Sequence, residues 1–179
     1  MSMLRIPMDR VGSLIGKGGE TKKMIEDRTK TIIKVDPEGE VRIYNRGSED
    51  PLIVVKVTDL IRAVGRGFSP ERALRLLDDD EYFEVIDIRD YVGKKSSHVI
   101  RMRARIIGTN GKTRRLIEDL TGAFISIYGS SVSIIGNSIQ MPIVRNAVDM
   151  LLRGSEHSTV YKYMERQRGR LRISEMGFE

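Results

Sequence analysis

Two short stretches of this chain combine glycine spacing, a threonine and a basic pair in a pattern suited to holding phosphate. The first runs Ile15-Gly16-Lys17-Gly18-Gly19-Glu20-Thr21-Lys22-Lys23-Met24-Ile25-Glu26-Asp27. The second runs Ile107-Gly108-Thr109-Asn110-Gly111-Lys112-Thr113-Arg114-Arg115-Leu116-Ile117-Glu118-Asp119. A glycine three residues after another turns the backbone sharply and presents amide protons without side-chain obstruction. The N-terminus of a following helix adds unpaired donors and a partial positive charge, so an oxyanion such as phosphate is the natural guest. Lys17 in the first loop, and Lys112 and Arg114 beside the second, supplement that field. The rival reading is a nucleotide P-loop built on Gly12, Gly16 and Lys17. It fails because the spacing is one residue short, Gly18 stands where Ser or Thr would hold magnesium, and a helix precedes it instead of a strand.

A repeat of this length at one constant offset divides the 179 residues into two small domains. The sequence has no cysteine, which excludes disulfides, thiolate chemistry and cysteine zinc sites, and only two histidines, His98 and His157. Asp78, Asp79 and Asp80 are consecutive acids without converging partners, so they read as a solvated helix end rather than a divalent-metal site. We therefore expect no metal, no cofactor and no catalysis. The net charge is +6, and the excess is local: from Lys94 to Ile117 every ionised residue is basic. A one-signed run around a loop is what a polyanion partner requires. No segment reaches the roughly 18 apolar residues of a membrane span, and the N-terminus lacks an export signal, so the expected location is cytoplasmic.

The elements that must position the loops follow from hydrophobic spacing. A strand over 3–6 precedes a helix ending at Ile15, for which Asp9 is the expected N-cap. After Gly16–Gly19 a second helix starts at Glu20, with Thr21, Met24, Ile25 and Arg28 inward and Lys22, Lys23 and Glu26 outward. The β-branched Thr31–Val35 and the run Val41–Tyr44 read as strands. Pro51 opens a helix whose stripe is Ile53, Val57, Leu60, Ile61 and Val64. A connector over 69–81 starts at Ser69-Pro70-Glu71, with Ala73, Leu74 and Leu77 on its apolar face. The second unit repeats the order: strand 82–88, helix 98–107, the loop, helix 112–120, strands 124–128 and 132–135, and a helix through Leu152. Ser155 is the expected cap of an appended helix to about Arg168, with Val160, Tyr161 and Met164 available to pack back. The arginine-rich end beyond Arg166 reads as a frayed, solvated tail.

These residues resemble two KH domains. The resemblance rests on Ile-Gly-Lys-Gly-Gly-Glu-Thr with Ile-Glu-Asp and the strand Ile32–Val35, and on Ile-Ile-Gly-Thr-Asn-Gly-Lys-Thr with Ile-Glu-Asp-Leu-Thr-Gly-Ala and the strand Phe124–Tyr128. The fold class is thus α+β, two type I KH domains (β-α-α-β-β-α each) in tandem, with a helical connector and an appended C-terminal helix. Residues 1–68 form the first domain, 69–81 the connector, 82–154 the second domain and 155–179 the C-terminal helix and basic tail. With the connector Gly65–Asp80, the chain is similar to archaeal two-KH proteins related to the eukaryotic small-subunit assembly factor called partner of Nob.

That resemblance implies binding of single-stranded small-subunit rRNA near its 3′ end during ribosome assembly, without catalysis. In a KH domain the glycine loop grips the backbone of about four nucleotides while a groove between helix and sheet reads the bases. The implied clamps are Gly16, Lys17, Gly18 and Gly19, and Gly108, Thr109, Asn110 and Gly111. Lys22, Lys23, Arg101, Arg103, Arg105, Lys112, Arg114 and Arg115 are the basic residues around them. Ile15, Ile25 and Ile33, and Ile107, Ile117 and Ile125, belong to the groove or to the core beneath it. Lys22 and Arg114 stand where KH domains usually carry an aliphatic residue, which makes the rim more electrostatic. The second domain is expected to bind RNA at least as well as the first, because Arg101, Arg103 and Arg105 adjoin its clamp while Asp9 and Glu20 dilute the field around the first loop. Ribosome-assembly or translation proteins are the expected protein partners. The alternative is an interaction scaffold in which only one KH unit binds RNA.

Overall fold

The computed structural model describes residues 1–176, and the chain divides into two compact units, one over Met1–Asp79 and one from Asp80 onward. The last three residues of the expected basic tail lie outside the described residues. In the first unit β1 (Ser2–Arg5) leads to α1 (Met8–Ile15), α2 (Glu20–Thr29), β2 (Thr31–Val35), β3 (Glu40–Asn45) and α3 (Ile53–Gly65). The strands form one antiparallel sheet in the order β1-β3-β2, with Ile33 opposite Ile43. Leu14, Ile25, Ile33, Val41, Ile43, Val57, Leu60, Ile61 and Val64 are buried and close the core between sheet and helices. The apolar stripe read from α3 is therefore the one that packs inward.

Four local expectations are corrected. Asp9 lies in the first turn of α1 and does not cap it; the cap position is Pro7, extended at φ −57°, ψ 142°. Proline disfavours helical backbone before it and fixes its own φ, so the helix starts immediately after it. Pro51 lies in the turn before α3, whose cap position is Leu52. On α2 the buried line is Ile25 and Thr29, with Arg28 exposed. In the connector, α4 (Pro70–Ala73) passes into a 3₁₀ turn over Leu74–Leu77, and Ala73 and Leu76 are the buried pair. The tighter winding brings residues three apart onto one face, which moves the apolar contact from Leu77 to Leu76. Ser69 does cap α4, its Oγ accepting from the Arg72 amide at 3.3 Å.

The second unit contains β4 (Tyr82–Asp87), the short α5 (Arg89–Val92), α6 (Ser96–Ile107), α7 (Lys112–Thr121), β5 (Phe124–Tyr128), β6 (Ser131–Gly136) and α8 (Gln140–Leu152). Its sheet order, β4-β6-β5, repeats that of the first. Two helices follow. In α9 (His157–Arg166) Val160 and Met164 are fully buried, and the cap position is Glu156 rather than Ser155. The expected frayed tail is α10 (Arg168–Glu175), anchored by Leu171 at 3% exposure. Burying that side chain contributes about 1.5–3 kcal/mol, and the helix rests against α7 and α9. Tyr91 ties α5 to α8 by donating to Asp149 at 2.6 Å, which holds that carboxyl below the usual aspartate range.

The Ile-Glu-Asp exits of the two repeats have a structural role. Glu26 accepts the Ile33 amide at 2.9 Å and Glu118 accepts the Ile125 amide at 3.0 Å, each joining the helix after the loop to the next strand. These glutamates are the correction to an outward-facing Glu26. A carboxylate–amide bond at a side chain only 10% exposed contributes more than an ordinary surface contact. Glu118→Ala is expected to lower stability by about 1.5–3 kcal/mol in urea unfolding, with Glu118→Gln losing less because it keeps an acceptor.

Candidate nucleic-acid interface

The two glycine loops share one backbone conformation. Gly16 has φ 76°, ψ 176° and Gly108 φ 75°, ψ 172°. Two residues on, Gly18 (62°, 21°) matches Asn110 (54°, 29°), and Gly19 (79°, 9°) matches Gly111 (75°, 15°). Asparagine tolerates the left-handed region better than most side chains, which is why it can replace the central glycine. In each loop the second glycine's amide closes a turn back to the first glycine's carbonyl, at 3.2 and 3.1 Å. The first glycine is required for space as well as for φ. A Cβ there would approach Thr21 Oγ1 in one loop and Thr113 Oγ1 in the other at 2.2 and 2.3 Å. The repeated threonine thus fills the inside of the turn, while a Cβ at Gly18 or Gly19 would meet nothing within 4 Å.

The helices beyond the loops, α2 and α7, begin at Gly19 and Gly111 without any side-chain cap. The 3₁₀ turn of each loop takes the first helical amide, Glu20 N–H donating to the Lys17 carbonyl and Lys112 N–H to the Thr109 carbonyl, so the positive end of each helix dipole lies directly behind the exposed loop. This is a surface suited to an anionic backbone.

The charged side chains around the loops differ between the copies. At the first loop Lys17 and Lys23 are exposed, while Glu20 sits in the first turn of α2. At the second, Lys112 takes the position of Glu20, reversing the charge at the helix start. The expected rim residues are partly engaged: Lys22 pairs with Glu26 at 3.0 Å and Arg114 with Glu118 at 3.1 Å. Arg115 donates to the Asn110 carbonyl at 2.8 Å, bracing the loop from outside.

The three arginines of α6 separate in space. Arg101 and Arg105 line a cleft of about 420 Å³ with Gly108, Thr109 and Lys112, whereas Arg103, two residues round the helix from each, does not. Arg105 donates to the Leu151 carbonyl at 3.2 Å and the Ser155 carbonyl at 2.5 Å, closing the end of α8. Arg10 does the same in the first unit, donating to Val64 and Phe68 carbonyls at 2.8 and 2.9 Å. Both are basic groups at helix C-termini, where the carbonyls lack partners. Of the isoleucines, Ile25, Ile33, Ile117 and Ile125 are core residues, and Ile15 and Ile107 are half-buried at the loop entries.

Two residues that sequence reasoning missed also line the cleft, His157 and Tyr161 of α9. They lie about half the unit away in sequence, so only the packing of α9 onto α7 brings them to the loop.

Comparison with known proteins agrees with this architecture. Residues 82–169 match the eukaryotic-type KH domain (KH domain type I), and residues 1–61 match the KH domain model. A KH domain-containing protein of Methanocaldococcus jannaschii is 47% identical over 173 residues, covering 96% of this chain and 76% of that protein. The pre-rRNA-processing protein PNO1 of Eremothecium gossypii is 33% identical over 134 residues, 74% of this chain and 50% of that protein, so the match spans half of that relative. The crystal structure of Dim2p from Pyrococcus horikoshii is 50% identical with a TM-score of 0.87, covering 92% of this chain and 98% of that one. A chain in the a/eIF2alpha–aDim2p–rRNA complex from the same organism is 50% identical with a TM-score of 0.89, covering 94% of each. Two matched KH units, a shared three-stranded topology and these relatives together show that the chain belongs to the archaeal family of tandem KH-domain RNA-binding proteins, related to the pre-rRNA-processing protein PNO1.

Proposed function

We propose that this protein binds single-stranded RNA through its two glycine loops, the target being the 3′ region of small-subunit rRNA during ribosome assembly, and that it performs no catalysis. The observation that carries this reading is the duplicated loop conformation leading into two helix N-termini that no side chain caps. The aDim2p of the rRNA complex and the pre-rRNA-processing relatives point to the rRNA target. The second loop is the stronger clamp, because Lys112 replaces Glu20 at the helix start and Arg101 stands beside it.

A second reading assigns the first unit to a protein partner. It is favoured by the carboxylate of Glu20 at the first helix start, and a partner such as a translation factor fits the a/eIF2alpha found with the Pyrococcus relative.

Salt titration tests the RNA reading. If each clamp holds about four phosphates, log affinity against log salt should fall with a slope of about −3 per engaged clamp, about 0.7 per neutralised phosphate. A slope near −6 would mean that both clamps engage one strand, and salt-independent binding would reject the clamp reading.

A further inference from the structure

The cleft beside the second loop differs from the helix–sheet groove that reads bases in KH domains. Its lining includes none of Ile107, Ile117 or Ile125. One wall is α6, the floor is the loop and the start of α7, and the other wall is α9, an element appended after the KH order is complete.

Three features of the cleft describe its guest. The first is charge: Arg101 and Lys112 are exposed, and their side chains make no hydrogen bond or ion pair among the described residues. The second is an aromatic corner. The rings of His157 and Tyr161 lie 6.1 Å apart at 59°, so a flat ligand can stack on one while meeting the edge of the other. The third is rigidity. Tyr161 Oη and Thr113 Oγ1 are hydrogen-bonded at 2.9 Å, and Thr113 is the residue that packs inside the loop against Gly108. His157 Nε2 lies 2.9 Å from the Arg105 carbonyl. A carbonyl only accepts, so Nε2 carries the proton of this bond. Both rings are thereby fixed by bonds at their polar ends.

A basic pair beside a fixed aromatic corner matches the two halves of a nucleotide, and a volume of about 420 Å³ is in the range of pockets for single small ligands. The cleft shares Gly108 and Thr109 with the clamp, so a strand held by the loop leads into it. In the first unit the segment after α3 packs back onto α3 instead.

We propose that this cleft is a nucleotide subsite particular to the second unit, taking one further unpaired nucleotide of the bound RNA, its base on the His157–Tyr161 corner and its phosphate on Arg101 and Lys112. The proposal rests on the RNA-binding reading above. It makes α9 part of the RNA surface rather than a brace for the fold alone.

The test uses the full chain carrying Lys17→Asp and Gly18→Asp, so that the second clamp dominates, and single-stranded RNAs of four and six nucleotides with 2-aminopurine at each position in turn. Stacking of one base is expected to make the six-mer bind about tenfold tighter than the four-mer, with quenching at one of the two added nucleotides. His157→Gln keeps a donor for the Arg105 carbonyl but removes the ring, and the gain should fall to about twofold with the quenching lost. His157→Phe keeps the ring and should keep the gain. Persistence of the gain in His157→Gln, or its loss in His157→Phe, would show that His157 only positions α9 and would overturn the subsite. Failure of the underlying reading looks different: adding Thr109→Asp and Asn110→Asp would leave the affinity for both lengths unchanged.

Discussion

Thr109→Asp combined with Asn110→Asp should weaken RNA binding by about a hundredfold while leaving the fold intact. Both side chains are exposed, and nothing in the turn depends on their functional groups. Asn110 has φ 54°, a left-handed conformation that aspartate tolerates nearly as well as asparagine, so the exchange adds charge without bending the backbone. Each new carboxylate would face RNA phosphates a few ångströms away. At an effective dielectric between that of a protein surface and water this costs about 1–2 kcal/mol per carboxylate, and two of them account for the expected loss. Equilibrium titration of a single-stranded RNA, with circular dichroism as the control for folding, measures it. The corresponding Lys17→Asp and Gly18→Asp pair should cost less, because Glu20 already weakens that field. An equal loss at the two loops would make the clamps equivalent and remove the case for a protein-facing first unit.

The loops were legible from the sequence because glycine, threonine and the basic pair each meet a local demand. Left-handed turns restrict residue type, and the tight turn leaves one size of side chain between Gly108 and Thr113. The sheet strands were legible for a similar reason, since alternation and β-branching report directly on one buried face. Glu26 and Glu118 were not. Helical spacing places them on the outer face, and only the neighbouring strand supplies the unpaired amide that turns each carboxylate inward. The same limit hid the division among the basic residues. Composition shows a one-signed run, but it does not distinguish Arg105, which closes the end of α8, from Arg101, which faces the cleft. His157 and Tyr161 show the limit at its strongest. Their place beside the second loop depends on α9 returning to α6 and α7 across some 50 residues, which no local spacing specifies.

Gly108→Ala should be the most damaging single methyl group in the second unit. At φ 75° and ψ 172° only glycine is comfortable, and a side chain there costs about 1–3 kcal/mol before any contact is considered. The new Cβ would also lie 2.3 Å from Thr113 Oγ1 and 2.7 Å from the Thr113 amide. Thr113 is 2% exposed, and its hydroxyl is bonded to Tyr161, so it cannot swing aside without breaking the link to α9. Overpacking of this kind adds about 1–3 kcal/mol, bringing the expected loss to about 2–6 kcal/mol, a large share of the stability of a small domain. Gly18→Ala provides the contrast: its φ is also positive, but the space is open, and the cost should be only about 1 kcal/mol. Because Gly108 and Thr113 touch, their effects should not add. Thr113→Ala alone loses a buried hydroxyl contact, yet in the Gly108→Ala background it also removes the closest clashing atom. The double variant should therefore be more stable, by about 1 kcal/mol, than the sum of the single effects in urea unfolding. Strict additivity would mean that backbone strain and the nearby Thr113 main chain make Gly108 necessary, and that the threonine hydroxyl does not shape the turn.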